Sequence, residues 1–63
     1  MNPMTEKLKE QIMEVRASGK ANMCNSNAVQ VVANEMQFYE LVIFIEEHRE
    51  DYFHYILTGE SLS

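Results

Sequence analysis

Five consecutive apolar residues, Leu41-Val42-Ile43-Phe44-Ile45, stand between Phe38-Tyr39-Glu40 and Glu46-Glu47-His48. No other part of the 63-residue chain restricts its fold as strongly. A helix that is apolar on every side must be covered on every side. A chain of about 60 residues buries only roughly 60% of its unfolded surface and usually needs a staple. Cys24 is the single cysteine, so an intrachain disulfide is excluded. The expected staple is therefore a second copy of the chain. Leu41, Val42, Phe44, Ile45, Tyr52 and Ile56 would supply the core and the dimer contact.

A hydrophobic content of 46% and a charged fraction of 24% suit one folded domain spanning residues 1–63. No apolar stretch approaches the length of a membrane span, and the N-terminus has no signal-peptide pattern. A cytoplasmic location and no membrane partner are expected. The net charge of −5 is unevenly spread. Residues 1–34 balance Lys7, Lys9, Arg16 and Lys20 against Glu6, Glu10 and Glu14. Residues 35–63 set Arg49 alone against Glu35, Glu40, Glu46, Glu47, Glu50, Asp51 and Glu60. A duplex-DNA binder aims several cations at phosphates, so nucleic acid is not an expected partner. A small anion would be met by the N-terminal half.

The apolar spacing predicts an all-α fold of three to four short helices over 5–18, 26–36, 38–48 and 51–58, with residues 59–63 as a frayed tail. Pro3 and Thr5 open the first helix, whose buried face is Leu8, Ile12 and Val15. Gly19 suits a left-handed C-cap, and residues 20–25 read as a loop. Asn25 or Ser26 can cap the second helix, with Ala28, Val29, Val32, Ala33 and Met36 inward. Gln37 marks a bend. Nothing between the third and fourth helices is a strong breaker, so the two can also be one.

Polar residues concentrate around the first loop and the second helix. Arg16, Ser18, the loop pair Asn22-Met23, Asn27, Gln30 and Asn34, followed by Tyr39 and Glu40, form the expected ligand-binding set. Arg pairs with phosphate, Asn and Gln amides read base or amide edges, and a helix N-terminus offers N–H groups to an anion. Tyr39 could stack on a base and Glu40 could hold a ribose hydroxyl. The competing explanation is plain: a loop and a helix cap require the same residue types.

Catalysis and metal binding are not expected. Cys24 and His48 lack a third catalytic member and an oxyanion loop, and no Gly-rich phosphate loop is present. Cys24, His48 and His54 do not have a zinc spacing, and no cofactor is implied. The stretch Gln30-x-x-Ala33-x-x-x-Gln37 has helix-turn-helix phasing, but the following helix, residues 38–47, carries no Lys or Arg. It would set carboxylates against phosphates. A regulator of that type is the least favoured reading.

The segments Ile12-x-x-Val15-Arg16-x-Ser18-Gly19, Asn22-Met23, Asn27-Ala28-Val29-Gln30 with Ala33-Asn34, Phe38-Tyr39-Glu40-Leu41-Val42, Phe44-Ile45-Glu46-Glu47-His48 and Ile56-Leu57-Thr58-Gly59 carry a family resemblance. Over roughly residues 6–59 the chain resembles DUF5049, a family of short, mostly phage and prophage proteins. The resemblance implies glycine at position 37, where this chain has Gln. It implies no activity. More distantly, the chain is similar to small phage sponge proteins, homodimers that sequester nucleotide immune signals such as the histidine–ADP-ribose of Thoeris-type defence. That similarity implies a non-enzymatic homodimer holding an ADP-ribose-type ligand. The alternative is an adaptor whose acidic C-terminal half docks on a host protein.

Overall fold

The computed structural model describes residues 4–59. Pro3 and the tail expected beyond Gly59 lie outside them. Four helices make up the fold: α1 (Glu6–Ser18), α2 (Ser26–Glu35), α3 (Tyr39–Glu47) and α4 (Arg49–Thr58). The protein is all-α. No described helix is long and apolar enough to cross a membrane.

Each helix end has a local cause. The Thr5 hydroxyl accepts a hydrogen bond from the Leu8 N–H at 3.1 Å, and Gly19 closes α1 at φ 68°. Glu6 in the first turn and Arg16 in the last suit the helix dipole. Asn25, rather than Ser26, caps α2, its Oδ1 accepting from the Ala28 N–H at 3.2 Å. Gly59 closes α4 at φ 76°.

Helix α3 occupies the middle and packs against α1, α2 and α4. Leu41, Phe44 and Ile45 are buried there with Leu8, Ile12, Val15, Val29, Val32, Ala33 and Tyr52. Val42 is half-buried, and only Ile43 of the five-residue run is exposed. The expectation that this run must be hidden by a twin chain is therefore corrected. Three neighbouring helices of the same chain surround it, so a helix apolar on most sides is satisfied without a partner.

The chain breaks between α3 and α4 at His48 (φ −134°, ψ 50°), and α4 begins at Arg49 rather than at residue 51. A straight helix from Tyr39 to Thr58 would be about 30 Å long at 1.5 Å per residue. The described residues together measure 28 Å in their longest direction. The break lets Tyr52 fold back onto the core, where it is fully buried. The ring of His48 stays against Phe44, with centroids 5.6 Å apart.

Gln37 takes the left-handed conformation that glycine would adopt easily, with φ 66°. The Phe38 N–H reaches back to the Ala33 carbonyl at 2.8 Å and the Gln37 N–H to the Asn34 carbonyl at 3.0 Å. This is a Schellman closure of α2. A side chain in this region is strained by roughly 1–2 kcal/mol. Gln37→Gly relieves the strain but loosens the unfolded chain, so a net gain of about 0.5–1 kcal/mol is expected. For a domain of this size the midpoint of thermal unfolding should rise by roughly 3–6 °C. A midpoint that falls would contradict the strain.

Candidate functional site

At one end of the molecule the C-terminal parts of α1 and α4 stand apart, and the loop of residues 20–25 bridges them. The cleft between them holds about 390 Å³. Ile12, Met13, Met23 and Ile56 form its apolar wall, with the Tyr55 ring beside them. Arg16, Asn22 and Cys24 supply its polar part, and Gly59 closes the end.

Local structure explains these positions. Ile12 and Arg16 are one turn apart on α1, so the buried isoleucine and the exposed guanidinium share one side of the helix. The Asn22 Oδ1 accepts from the Cys24 N–H at 2.9 Å, and the Asn22 carbonyl accepts from the Asn25 N–H at 2.8 Å. The loop is also held from below. The buried Tyr52 hydroxyl donates to the Met23 carbonyl at 2.7 Å. Burial, helped by the neighbouring Cys24, pushes the Tyr52 phenol up to about 12.

Of the two cations without an ion pair among the described residues, Arg16 and Lys20, only Arg16 lines the cleft. Lys7 pairs with Glu40 at 3.0 Å, Lys9 with Glu6 at 3.5 Å and Arg49 with Glu46 at 3.5 Å. The Arg16 guanidinium has no such partner among the described residues. It can therefore offer its donor fork to an anion entering the cleft.

The other expected ligand residues lie elsewhere. Asn27 and Gln30 belong to a clamp built on Arg49. The Arg49 guanidinium donates to the Ser26 hydroxyl, to Asn27 Oδ1 at 3.0 Å and to Gln30 Oε1 at 3.5 Å. The Gln30 amide donates to the Val42 carbonyl and to Glu46 Oε2, both at 3.1 Å. This network ties α2 to α3 and α4. Arg49 and Ile56 are seven residues apart on α4, about 10 Å, so the clamp is separate from the cleft.

Ser18 serves the end of its own helix, donating to the Val15 carbonyl at 2.6 Å and accepting from the Lys20 N–H at 3.2 Å. Asn34 is exposed near the end of α2. Tyr39 is 56% exposed at the start of α3, and Glu40 is engaged by Lys7. Lys7 lies nine residues before Arg16, about 13 Å along α1. Of the expected set, the cleft thus gathers Arg16, Asn22 and Met23, and its ring is Tyr55 rather than Tyr39. Sequence reasoning missed Ile12, Met13, Cys24, Tyr55, Ile56 and Gly59 as cleft residues. It also missed the structural use of Arg49, whose signal was its isolation among seven acids.

Comparison with known proteins places the chain at the level of family alone. No curated protein and no solved structure matches the chain. The family model described as "Domain of unknown function (DUF5049)" matches residues 4–60. Because that match takes in all four helices and the cleft between them, the chain belongs to the DUF5049 family.

Proposed function

We propose that the protein binds a small anionic molecule carrying a planar ring, of the nucleotide type, in the cleft between α1 and α4, and holds it without turnover. The observation that carries this reading is the Arg16 guanidinium, without an ion-pair partner among the described residues, beside an apolar wall. Small-molecule sites usually enclose about 300–1,000 Å³, mostly apolar, with a few polar groups that fix orientation. A cleft of about 390 Å³ with one arginine and one asparagine has that make-up. Arg16 would meet a phosphate, Asn22 would donate its side-chain amide, and Tyr55 with Met13 would flank the ring. A phage sponge of the kind the sequence resemblance implies would take an ADP-ribose-type signal, histidine–ADP-ribose among them, and would sequester it from a host defence. Competing with a receptor would require nanomolar affinity, about −12 kcal/mol.

Calorimetry with ADP-ribose, histidine–ADP-ribose and cyclic dinucleotides tests the reading. At least one should bind with one site per chain. Arg16→Ala should weaken it by about 1.5–3 kcal/mol, the usual worth of a hydrogen bond to a charged group, while the helical circular dichroism stays unchanged. Bound ligand should also slow alkylation of the exposed Cys24. No heat with any of these compounds, or binding indifferent to Arg16→Ala, would remove the proposal.

A further inference from the structure

The polar residues of the cleft differ in what they have left to offer a guest. Asn22 lines the cleft and is exposed, but its side-chain oxygen is already committed, Oδ1 accepting from the Cys24 N–H at 2.9 Å. A backbone N–H can only donate, so this contact fixes which end of the amide is the oxygen. The NH2 end has no acceptor among the described residues. Neighbouring carbonyls are engaged as well. That of Arg16 takes the Gly19 N–H at 3.2 Å, that of Asn22 the Asn25 N–H at 2.8 Å, and that of Met23 the Tyr52 hydroxyl at 2.7 Å. The Arg16 guanidinium has five N–H donors and no acceptor. Arg16 and Asn22 therefore present donors to the cleft, while the acceptors of residues 16, 22 and 23 are used within the fold. The same bonds keep the arrangement stiff. Turning the Asn22 amide over would set its NH2 against the Cys24 N–H, donor against donor.

We propose that Asn22 makes the cleft selective for a ring whose edge carries a carbonyl oxygen, an oxo-purine or oxo-pyrimidine, over the amino counterpart. The inference rests on the reading of the cleft as a nucleotide site and narrows which ring enters it. An asparagine with both side-chain atoms free reads adenine by accepting from the 6-amino group and donating to N7. Asn22 has lost the accepting half of that pair to Cys24. It can donate to an oxygen at position 6 of a purine or position 4 of a pyrimidine. An amino group at the same place meets it donor to donor, and Arg16 cannot take that group over. Each donor so placed gives up its water without gaining a partner, a mismatch that binding sites reject more strongly than a missing methylene. An adenine-bearing signal can enter only with its amino group turned away from Asn22.

Calorimetry of the full chain with two matched pairs tests this: inosine against adenosine monophosphate, and uridine against cytidine monophosphate. Within each pair the sugar and phosphate are the same and the rings differ chiefly in an oxo or an amino group. At least one oxo member should bind the wild type about tenfold more tightly than its partner. Asn22→Asp keeps an oxygen on the Cys24 N–H and puts an acceptor where the donor was. Its charge near Arg16 should lower every affinity, but the ratio within the pair should invert. Asn22→Ser is uncharged and can accept from the same N–H, so it should bring the ratio close to one while binding still depends on Arg16. Equal binding within both pairs, or a preference for the amino member, overturns the selectivity and leaves the cleft as a nucleotide site. An oxo preference that survives Asn22→Ser overturns it too. No heat with any of the four also overturns it, and the ADP-ribose titrations then decide whether the nucleotide reading falls with it.

Discussion

Ile45→Ala is expected to destabilise the protein by about 3 kcal/mol, whereas Ile43→Ala should change its stability by less than about 0.5 kcal/mol. The residues have the same type, share one helix and stand two positions apart. Their environments differ completely: Ile45 is fully buried and Ile43 is 56% exposed. Truncating Ile45 removes three carbons from contact with the core and leaves a cavity among well-packed neighbours. Truncating Ile43 removes atoms that face water, and alanine also forms helix more readily than isoleucine. A domain this small rarely holds more than about 3–5 kcal/mol in total, so Ile45→Ala should retain at most about 2 kcal/mol of stability at room temperature. Urea titration followed by circular dichroism measures both variants. Similar losses at the two positions would mean that α3 is covered on its outer side even in the monomer.

The sequence was most legible where structure is local. Thr5, Gly19, Asn25 and Gly59 act within one turn of their helices, and each is a residue type suited to its place. The covering of the apolar run was not legible. Periodicity shows that a helix has no polar side, but not how many neighbours the same chain brings to it. Gln11 illustrates a second limit. It fills a buried position between Leu8 and Val15 on α1, with its Oε1 unpartnered, and a hydropathy pattern passes over it as polar. A third of the cleft was legible for the same reason as the caps, because Arg16, Asn22 and Met23 lie within eight residues of one another. The opposite wall, Tyr55, Ile56 and Gly59, arrives only once α4 folds back at His48. Asn27 and Gln30 have the composition of a ligand site and serve instead as partners of Arg49. That distinction depends on distances no spacing contains.

Tyr52 should give the protein an alkaline instability that Tyr52→Phe abolishes. An ordinary tyrosine loses its proton near pH 10, but burial holds Tyr52 at about 12 in the folded chain. Between these values the folded state binds more protons than the unfolded state, so stability falls as pH rises. The contribution is fully present below pH 10 and is lost as pH climbs through 12. Two pH units at about 1.4 kcal/mol each set an upper bound of about 3 kcal/mol on the loss, which solvent screening of the phenol reduces. At neutral pH the phenylalanine variant should itself be weaker by about 1–2 kcal/mol, because the Met23 carbonyl loses the hydroxyl that donates to it at 2.7 Å. Above pH 10 the order should narrow and can reverse. The variant keeps its stability against this titration while the wild type must either ionise a buried phenol or unfold. Urea midpoints at a series of pH values from 7 to beyond 11 separate the two behaviours. A Tyr52→Phe curve that runs parallel to the wild type throughout would show that the alkaline loss does not come from Tyr52. The comparison also reports on the cleft, since the same hydroxyl fixes the backbone between Asn22 and Cys24. If Tyr52→Phe loosens that loop, ligand affinity should drop together with stability at neutral pH even though Arg16 is untouched.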